Sequence, residues 1–269
     1  MTQLIQDTGK FRNTNDQFYT NETVAKKCIQ EIIETIPETK NYLWIEPSAG
    51  NGAFFNNISF PKLGLDIEPK SIHIQKQDYL TWQSPTQDSI VFGNPPFGRQ
   101  SSLAKAFIAK SCKFAKVVAF ILPRSFTKPS MYKAFSLSFH RVYSVELEKK
   151  SFVLNGQPYD VPCIFEIWEK RDTERKKDEK INPIGFQYVT NELYDIAFRR
   201  VGAKAGQCYD FEEKKCSIQS HYFIKFEKYN KNIIKKINNH IFPSNTVGPR
   251  SLSKGEVNKV LNEIILLLV

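Results

Sequence analysis

The sequence has no apolar run of about 18 residues, the length that a membrane-spanning helix needs. No run is longer than the six residues of 264–269. The first residues, 1–7, lack the basic start and the apolar stretch of a secretory signal. From these absences we expect an intracellular protein, cytoplasmic or nuclear and not secreted, with no membrane partner.

Cysteine and histidine are scarce, with five and four residues in a chain of 269. The cysteines form no Cys-x-x-Cys pair and lie far apart, at Cys28, Cys112, Cys163, Cys208 and Cys216. Their odd number and their spacing predict reduced thiols rather than a disulfide framework. The histidines are equally scattered, so we expect no metal site.

Acidic residues are outnumbered, because 28 Asp and Glu face 38 Lys and Arg, for a net charge of +10. Residues 171–269 are the more basic part per residue, with 18 of the basic and 12 of the acidic side chains. A basic surface favours a polyanion, since phosphate contacts release counterions. Many basic proteins bind no nucleic acid, so the charge alone is weak support for DNA or RNA as a partner.

Apolar spacing predicts an α/β protein. Residues 22–36 carry apolar side chains at helical spacing, with Thr20 or Asn21 as the cap, and residues 102–114 predict a second helix. Short apolar runs predict buried strands at residues 42–45, 63–67, 89–92 and 117–122. Strands that alternate with helices indicate a Rossmann-like, doubly wound and mostly parallel sheet.

The pattern changes after residue 140. Residues 142–147 and 161–168 predict two strands around an Asn155-Gly156 turn, an antiparallel hairpin at the edge of the sheet. A charged stretch then predicts a linker. We therefore expect a domain over residues 1–170, a linker over 171–180 and a small basic module over 181–269 that ends in a helix.

A glycine-rich loop, EPSAGNGAF at residues 46–54, follows the first predicted strand. Glycines at a strand end let the backbone turn sharply and pass close to a ligand, and open α/β sheets bind ligands at this edge. Asp66 ends the next strand, where a carboxylate can accept hydrogen bonds from both ribose hydroxyls. Asp78 is placed to accept a bond from an adenine amine. Either acid could instead be a helix cap or a surface charge, but together they fit one bound nucleoside.

The most specific motif is GNPPFG at residues 93–98, again after a buried strand. Its two prolines remove two backbone donors and leave outward carbonyl acceptors, beside the side-chain acceptor of Asn94. Such acceptors can hold both protons of an sp² amine and direct its lone pair toward a methyl sulfonium. Phe97 offers a flat face to a base. A simple proline-rich turn is the alternative.

These segments resemble the amino-methyltransferases that act on nucleic-acid bases, especially adenine-N6 enzymes whose cofactor motif precedes the catalytic motif. The resemblance covers about residues 16–170 and implies a class I methyltransferase fold and S-adenosylmethionine as the cofactor. It implies that the catalytic residues are Asn94, Pro95, Pro96 and Phe97. It implies cofactor contacts from Tyr19, Thr20, Glu46, Ser48, Ala49, Gly50, Gly52, Asp66, Asp78 and Asn94. Asn21 stands where a proline usually follows the threonine.

The resemblance also implies an aromatic residue on the far side of the flipped base, for which Phe152 is our candidate and a core phenylalanine the alternative. Candidate contacts with the nucleic-acid backbone are Arg199, Arg200, Lys204, Lys235 and Lys236, although a solvated basic face would carry the same residues. Residues 221–223 could stack bases or pack in a core. Cys163 follows a proline, as the nucleophile of cytosine-C5 methyltransferases does, but its apolar run indicates a buried strand cysteine.

The predicted reaction is direct methyl transfer to adenine N6 in nucleic acid, with DNA favoured over RNA, and with no metal and no covalent enzyme intermediate. Two other readings stay open: a guanine-N2 rRNA or protein-glutamine methyltransferase, which share the Asn-Pro-Pro-aromatic motif, and a non-catalytic nucleic-acid-binding subunit of the same fold. Because the C-terminal module is small, a second copy or a partner subunit is expected to assist recognition.

Overall fold

The computed structural model describes residues 18–86, 88–177, 179–211, 216–246 and 249–267. The chain divides into two compact units, residues 1–177 and 178–269. The predictions made for residues 1–7, and for the final residue of the last helix, expected over residues 255–268, lie outside the described residues.

The described part of the first unit contains two α-helices and ten strands, joined by loops and short 3₁₀ turns. In chain order they are β1 (Tyr19–Thr20), α1 (Glu22–Thr35), β2 (Leu43–Glu46), β3 (Lys62–Asp66), β4 (Gln75–Lys76), β5 (Ser89–Gly93), α2 (Ser102–Ser111), β6 (Val117–Pro123), β7 (Phe139–Glu146), β8 (Phe152–Leu154), β9 (Gln157–Tyr159) and β10 (Cys163–Lys170).

Local sequence accounts for most of these elements. The α1 helix begins after Asn21, whose side chain accepts a hydrogen bond from the backbone of Thr23, so Asn21 rather than Thr20 is the cap. The strands β5 and β6 are buried along their whole length. Strands covered on both faces need continuous apolar runs, which is the pattern that the sequence shows there.

Seven strands form the central sheet, in the order β4-β3-β2-β5-β6-β10-β7. The pairs from β4 to β6 are parallel, whereas β10 is antiparallel to both of its neighbours. This confirms the predicted fold class, a Rossmann-like α/β fold whose sheet is mostly parallel, with an antiparallel hairpin at one edge. The chain order reverses between β2 and β5, so the carboxyl ends of these two strands flank the switch point where such sheets bind ligands.

The predicted hairpin is more elaborate than expected. The strands β7 and β10 pair with each other, but Asn155-Gly156 is the turn of a smaller hairpin, β8–β9, inserted between them. Both turn residues have positive φ, 50° and 75°, as a two-residue hairpin turn requires. The strand β8 also pairs with β1, which gives a separate three-stranded sheet.

The charged stretch after β10 is not simply solvated. The backbone N–H groups of Arg171 and Arg175 donate to Ser138 and Leu137, and the Arg175 guanidinium donates to three further carbonyls of the first unit. Residues 171–175 are therefore fixed to the first unit, because guanidinium donors satisfy carbonyls that a loop leaves open.

The second unit has its own antiparallel sheet and core. Its elements are β11 (Phe186–Val189), β12 (Ile196–Arg199), β13 (Cys208–Asp210), β14 (His221–Phe226), α3 (Asn232–Asn239) and α4 (Lys254–Leu266), with the strand order β11-β14-β12-β13. Phe198 and Ile224 of the sheet and Ile237 and Leu261 of the helices are buried in one apolar cluster. A capping box at Ser253 begins α4.

Candidate active site

The glycine loop leaves the carboxyl end of β2 and is held by the end of β3. Gly50 and Gly52 have φ of 51° and 84°, a region that favours glycine. The Gly50 N–H donates to Asp66 Oδ2 at 2.7 Å, and the Glu68 N–H donates to Asp66 Oδ1 at 2.8 Å. Asp66 thus shapes the loop directly, and its carboxylate keeps further lone pairs for other donors.

The Asn-Pro-Pro-Phe loop leaves the neighbouring strand β5 and is tied to both sides of the site. Ser48 Oγ of the glycine loop donates to the Asn94 carbonyl at 3.1 Å. Asn94 Nδ2 donates to the Phe18 carbonyl at 3.3 Å, just before β1. Three segments that are distant in sequence are therefore joined at the switch point of the sheet.

Between these segments lies a cavity that opens to solvent, with about 250 Å³ of empty space when the solvent at its mouth is included. Its lining residues are Phe18, Tyr19, Thr20, Glu46, Ser48, Ala49, Gly50, Asn51, Ala53, Phe54 and Asn94. Seven of the predicted cofactor-binding residues therefore meet around one cavity: Tyr19, Thr20, Glu46, Ser48, Ala49, Gly50 and Asn94.

Three polar atoms at this cavity are buried without a hydrogen-bond partner among the described residues: Thr20 Oγ1, Glu46 Oε2 and Asn94 Oδ1. An unpaired buried polar atom costs about 1–3 kcal/mol, so three in one place are an unusual concentration. All three can accept a hydrogen bond, and the Thr20 hydroxyl can also donate one, so the group suits a ligand that carries several donors.

Glu46 is the most buried charged group at the cavity, with 2% of its surface exposed. Burial raises the pKa of its carboxyl well above the ordinary value, and the nearby Asp66 raises it further, although a backbone hydrogen bond at Phe55 and the charge of Lys62 oppose the shift. The Glu46 side chain lies close to the backbone of Gly93, because a Cβ at that position would be only 3.2 Å from Glu46 Cγ. A cationic ligand group would favour the carboxylate form.

The other predicted catalytic and cofactor residues do not line the cavity. Pro95 is buried and Pro96 half-buried. Phe97 is 7% exposed and packs in the main core, so its ring presents no open face. Asp78 is exposed, and its side chain accepts a hydrogen bond from the Leu80 N–H, the local capping role that the sequence left open.

The candidate for the far side of the base, Phe152, is also a core residue, 1% exposed on β8. The exposed ring of this hairpin is Tyr159 on β9, 37% exposed, which stacks on Phe18 at 5.1 Å. Sequence reasoning did not single out Tyr159, because its place opposite Phe152 depends on the strand register.

Asn51, Ala53 and Phe54 were likewise not singled out as cavity residues. They lie within the glycine loop, so the motif points to the right segment. Which of its residues face the cavity depends on the turn geometry, and a motif does not fix that.

Of the predicted phosphate contacts, Lys204 and Lys235 are exposed, and Arg199, Arg200 and Lys236 are half-buried. Arg199 donates to the Val201 carbonyl, and Arg200 donates to the Gln219 carbonyl. Each guanidinium has further donors. His221 and Phe223 are buried, which favours core packing over base stacking for this segment.

Cys163 is buried on β10, and burial raises the pKa of its thiol, which disfavours its action as a nucleophile.

Within the described ranges, no group of three or more His, Cys, Asp or Glu side chains is arranged to hold a metal ion. No helix in the described part of the chain is long and apolar enough to cross a bilayer.

No protein-family model matches this chain, and no curated protein matches it. Solved structures resemble part of it. A candidate RNA methyltransferase from Pyrococcus horikoshii is 15% identical, with 60% of this chain and 92% of that one covered and a TM-score of 0.46.

Two further solved structures show a similar level of likeness. A candidate class I S-adenosylmethionine-dependent methyltransferase from Listeria monocytogenes is 14% identical, with 63% and 66% covered and a TM-score of 0.45. The 23S rRNA methyltransferase ErmE is 14% identical, with 58% and 71% covered and a TM-score of 0.42. Likeness at this level carries no information about substrate or residue roles.

Proposed function

We propose that this chain is an S-adenosylmethionine-dependent methyltransferase that acts on the exocyclic N6 amine of adenine in nucleic acid. One observation carries the proposal: the glycine loop, the Asn-Pro-Pro-Phe loop and the segment at β1 converge on a cavity at the sheet's switch point, with three buried acceptors unpaired. Such a site fits a ligand that is cationic and rich in donors.

The residues at the cavity fit this cofactor. We assign its methionine end to Tyr19, Thr20 and Glu46, because a buried carboxyl without a full set of partners suits an ammonium or sulfonium cation. We assign the ribose to Asp66, at the end of β3, and the adenine to Asp78, which follows the neighbouring strand β4. When bound, the cofactor supplies an activated methyl group on sulfur.

We assign binding of the acceptor amine to Asn94 and Pro95. Asn94 Oδ1 is an unpaired acceptor, and we assign the second acceptor role to the backbone carbonyl of Pro95. Two such dipoles stabilise the positive charge that develops on the amine nitrogen and hold its lone pair in line. Pro96 keeps the backbone rigid. Phe97 and Phe152 keep their proposed stacking roles only if base entry uncovers their rings.

Nucleic acid is the proposed carrier of the adenine. Arg199, Arg200, Lys204, Lys235 and Lys236 of the second unit are the proposed phosphate contacts, supported by the basic composition of residues 171–269. The base has to leave its stack to reach the site, which costs a few kcal/mol in a duplex and less in a single strand. DNA is therefore to be tested in both forms, beside RNA.

The direct test is transfer of a tritiated methyl group to DNA, RNA and protein, followed by nucleoside and amino-acid analysis. We expect label in N6-methyladenine. Label in N2-methylguanine or N5-methylglutamine would show that guanine or glutamine, rather than adenine, is the methyl acceptor. Saturable cofactor binding without any transfer would indicate a binding subunit, and no cofactor binding would refute the proposal entirely.

The Asn94→Ala variant tests the assigned catalytic acceptor. We expect transfer to fall at least about 100-fold, since a preorganised dipole at the reacting group is lost. Cofactor affinity should stay within about threefold, because the ribose and adenine contacts remain. The exposed Asn239→Ala on α3 is the matched control and should behave as wild type. Full activity in Asn94→Ala would contradict the assignment.

A further inference from the structure

The side-chain amide of Asn94 has a fixed direction in this fold. Its nitrogen donates to the Phe18 carbonyl at 3.3 Å, and its oxygen is the buried atom without a partner. An amide turned by 180° would point two donors at the amine of the substrate and lose its acceptor. The position of the Phe18 carbonyl therefore decides which face the catalytic amide presents.

Phe18 is not held by its own strand, because β1 comprises only Tyr19 and Thr20. A strand this short has no stability by itself. It pairs with β8, and the Asn21 N–H donates to the Ser151 carbonyl at 2.9 Å. The segment that carries the carbonyl is thus attached to the β8–β9 hairpin, more than 100 residues later in the chain.

The Phe18 side chain makes the second attachment to the same hairpin. Its ring stacks on Tyr159 with centroids 5.1 Å apart and an interplanar angle of 6°, and it meets the edge of Phe152 at 6.5 Å. Phe152 is a core residue, but Tyr159 is 37% exposed on β9. Removing the Tyr159 ring therefore releases one side of Phe18 without opening the core.

We infer that Tyr159 is a positioning residue for the methyl-transfer step. By stacking on Phe18 it holds the Phe18 carbonyl against Asn94 Nδ2, and so keeps Asn94 Oδ1 turned toward the amine. The inference rests on the proposed function of the site. The β8–β9 hairpin would then have two roles: Phe152 fills the core, and Tyr159 orients the side-chain amide of Asn94.

A kinetic comparison of Tyr159→Ala with the conservative Tyr159→Phe tests this. Misplacing a catalytic group by about 1 Å can cost up to 100-fold, and a loosened amide should cost about 10-fold in kcat. Tyr159→Phe keeps the stacked ring and should restore kcat to within about twofold. The KM for nucleic acid and the melting temperature should stay near wild type, because Tyr159 is not in the core.

The double variant Asn94→Ala/Tyr159→Ala distinguishes positioning from direct base contact. If Tyr159 acts through Asn94, the double variant should be no slower than Asn94→Ala alone. A ring that stacked on the substrate base would raise KM and add its effect to that of Asn94→Ala. Additive losses, a change confined to KM, or an unchanged kcat in Tyr159→Ala would each overturn the inference.

A readout without turnover keeps this test apart from that of the proposed function. The side-chain NH₂ signal of Asn94, identified by its loss in Asn94→Ala, should exchange slowly with solvent in the wild type. We expect exchange at least about 10-fold faster in Tyr159→Ala and unchanged in Tyr159→Phe. Equal exchange in all three proteins would refute the positioning role even if methyl transfer is confirmed. An inactive wild type that shows the expected exchange would refute the proposed function alone.

Discussion

Glu46 and Glu166 are two buried carboxyl groups of one sheet, 2% and 0% exposed, that differ in their hydrogen-bond partners. Glu166, in β10, accepts from Arg141 Nη1 at 2.9 Å, from Trp168 Nε1 at 2.9 Å and from Ser144 Oγ at 3.4 Å. Glu46, at the end of β2, has one oxygen without any partner among the described residues.

Hydrogen-bond partners distinguish a structural carboxylate from one that is free to bind a ligand. Burial alone does not do so, since it raises the pKa of both groups. A fully partnered group stabilises the fold as it stands, whereas an unpartnered one carries a desolvation cost that a ligand can relieve. Glu46 belongs to the second kind because it faces the cavity at the switch point.

The largest expected contrast is between Glu46→Gln and Glu166→Gln. Loss of a charge-assisted contact to a cation should weaken cofactor binding about 10- to 100-fold in Glu46→Gln. Glu166→Gln should leave binding unchanged but lower the free energy of unfolding by about 1–2 kcal/mol, because an amide has one acceptor oxygen for the donors of Arg141 and Trp168. Calorimetric titration and urea denaturation measure the two effects. Equal cofactor affinity in both variants would remove the distinction.

A smaller effect is expected at Gly50, where φ is 51° and a Cβ would lie 3.1 Å from Tyr19 Cε1. Gly50→Ala should weaken cofactor binding about 5- to 10-fold, since it strains the loop and displaces a ring at the cavity. The matched control is Gly185→Ala in the second unit, where φ is 72° and the nearest atom, Ile265 Cγ2, is 3.4 Å away. It should cost about 1 kcal/mol of stability and leave binding intact. An unchanged cofactor affinity in Gly50→Ala would contradict this prediction.

The smallest expected effect is on pH dependence. The folded pKa of Glu46 lies above its unfolded value, so its contribution to stability is full below the unfolded pKa and is lost as pH rises through the folded one. Cofactor affinity should instead increase with pH, because the cation favours the carboxylate. Both slopes should flatten in Glu46→Gln, as measured by denaturation and titration between about pH 5 and 9. Parallel curves for the two proteins would exclude Glu46 as the titrating group.

Much of the fold was predictable because its signals are local. The apolar runs of β5 and β6 are buried strands, and Asn21 and Asn155-Gly156 act as a cap and a turn where the sequence placed them. Two features were less predictable. The β8–β9 hairpin depends on strand register, and the ties of Arg171 and Arg175 to the first unit depend on long-range contacts.

The fold class follows from the local apolar runs, and the two loops of the candidate site follow from glycines and prolines, which act on the backbone wherever they stand. Which side chains meet depends on the folding of distant segments onto one another. That folding joined Phe18, Ser48 and Asn94 by hydrogen bonds, left Glu46 without a full set of partners, and buried Phe97 and Phe152. Contacts between distant segments depend on packing and register, which no local motif encodes.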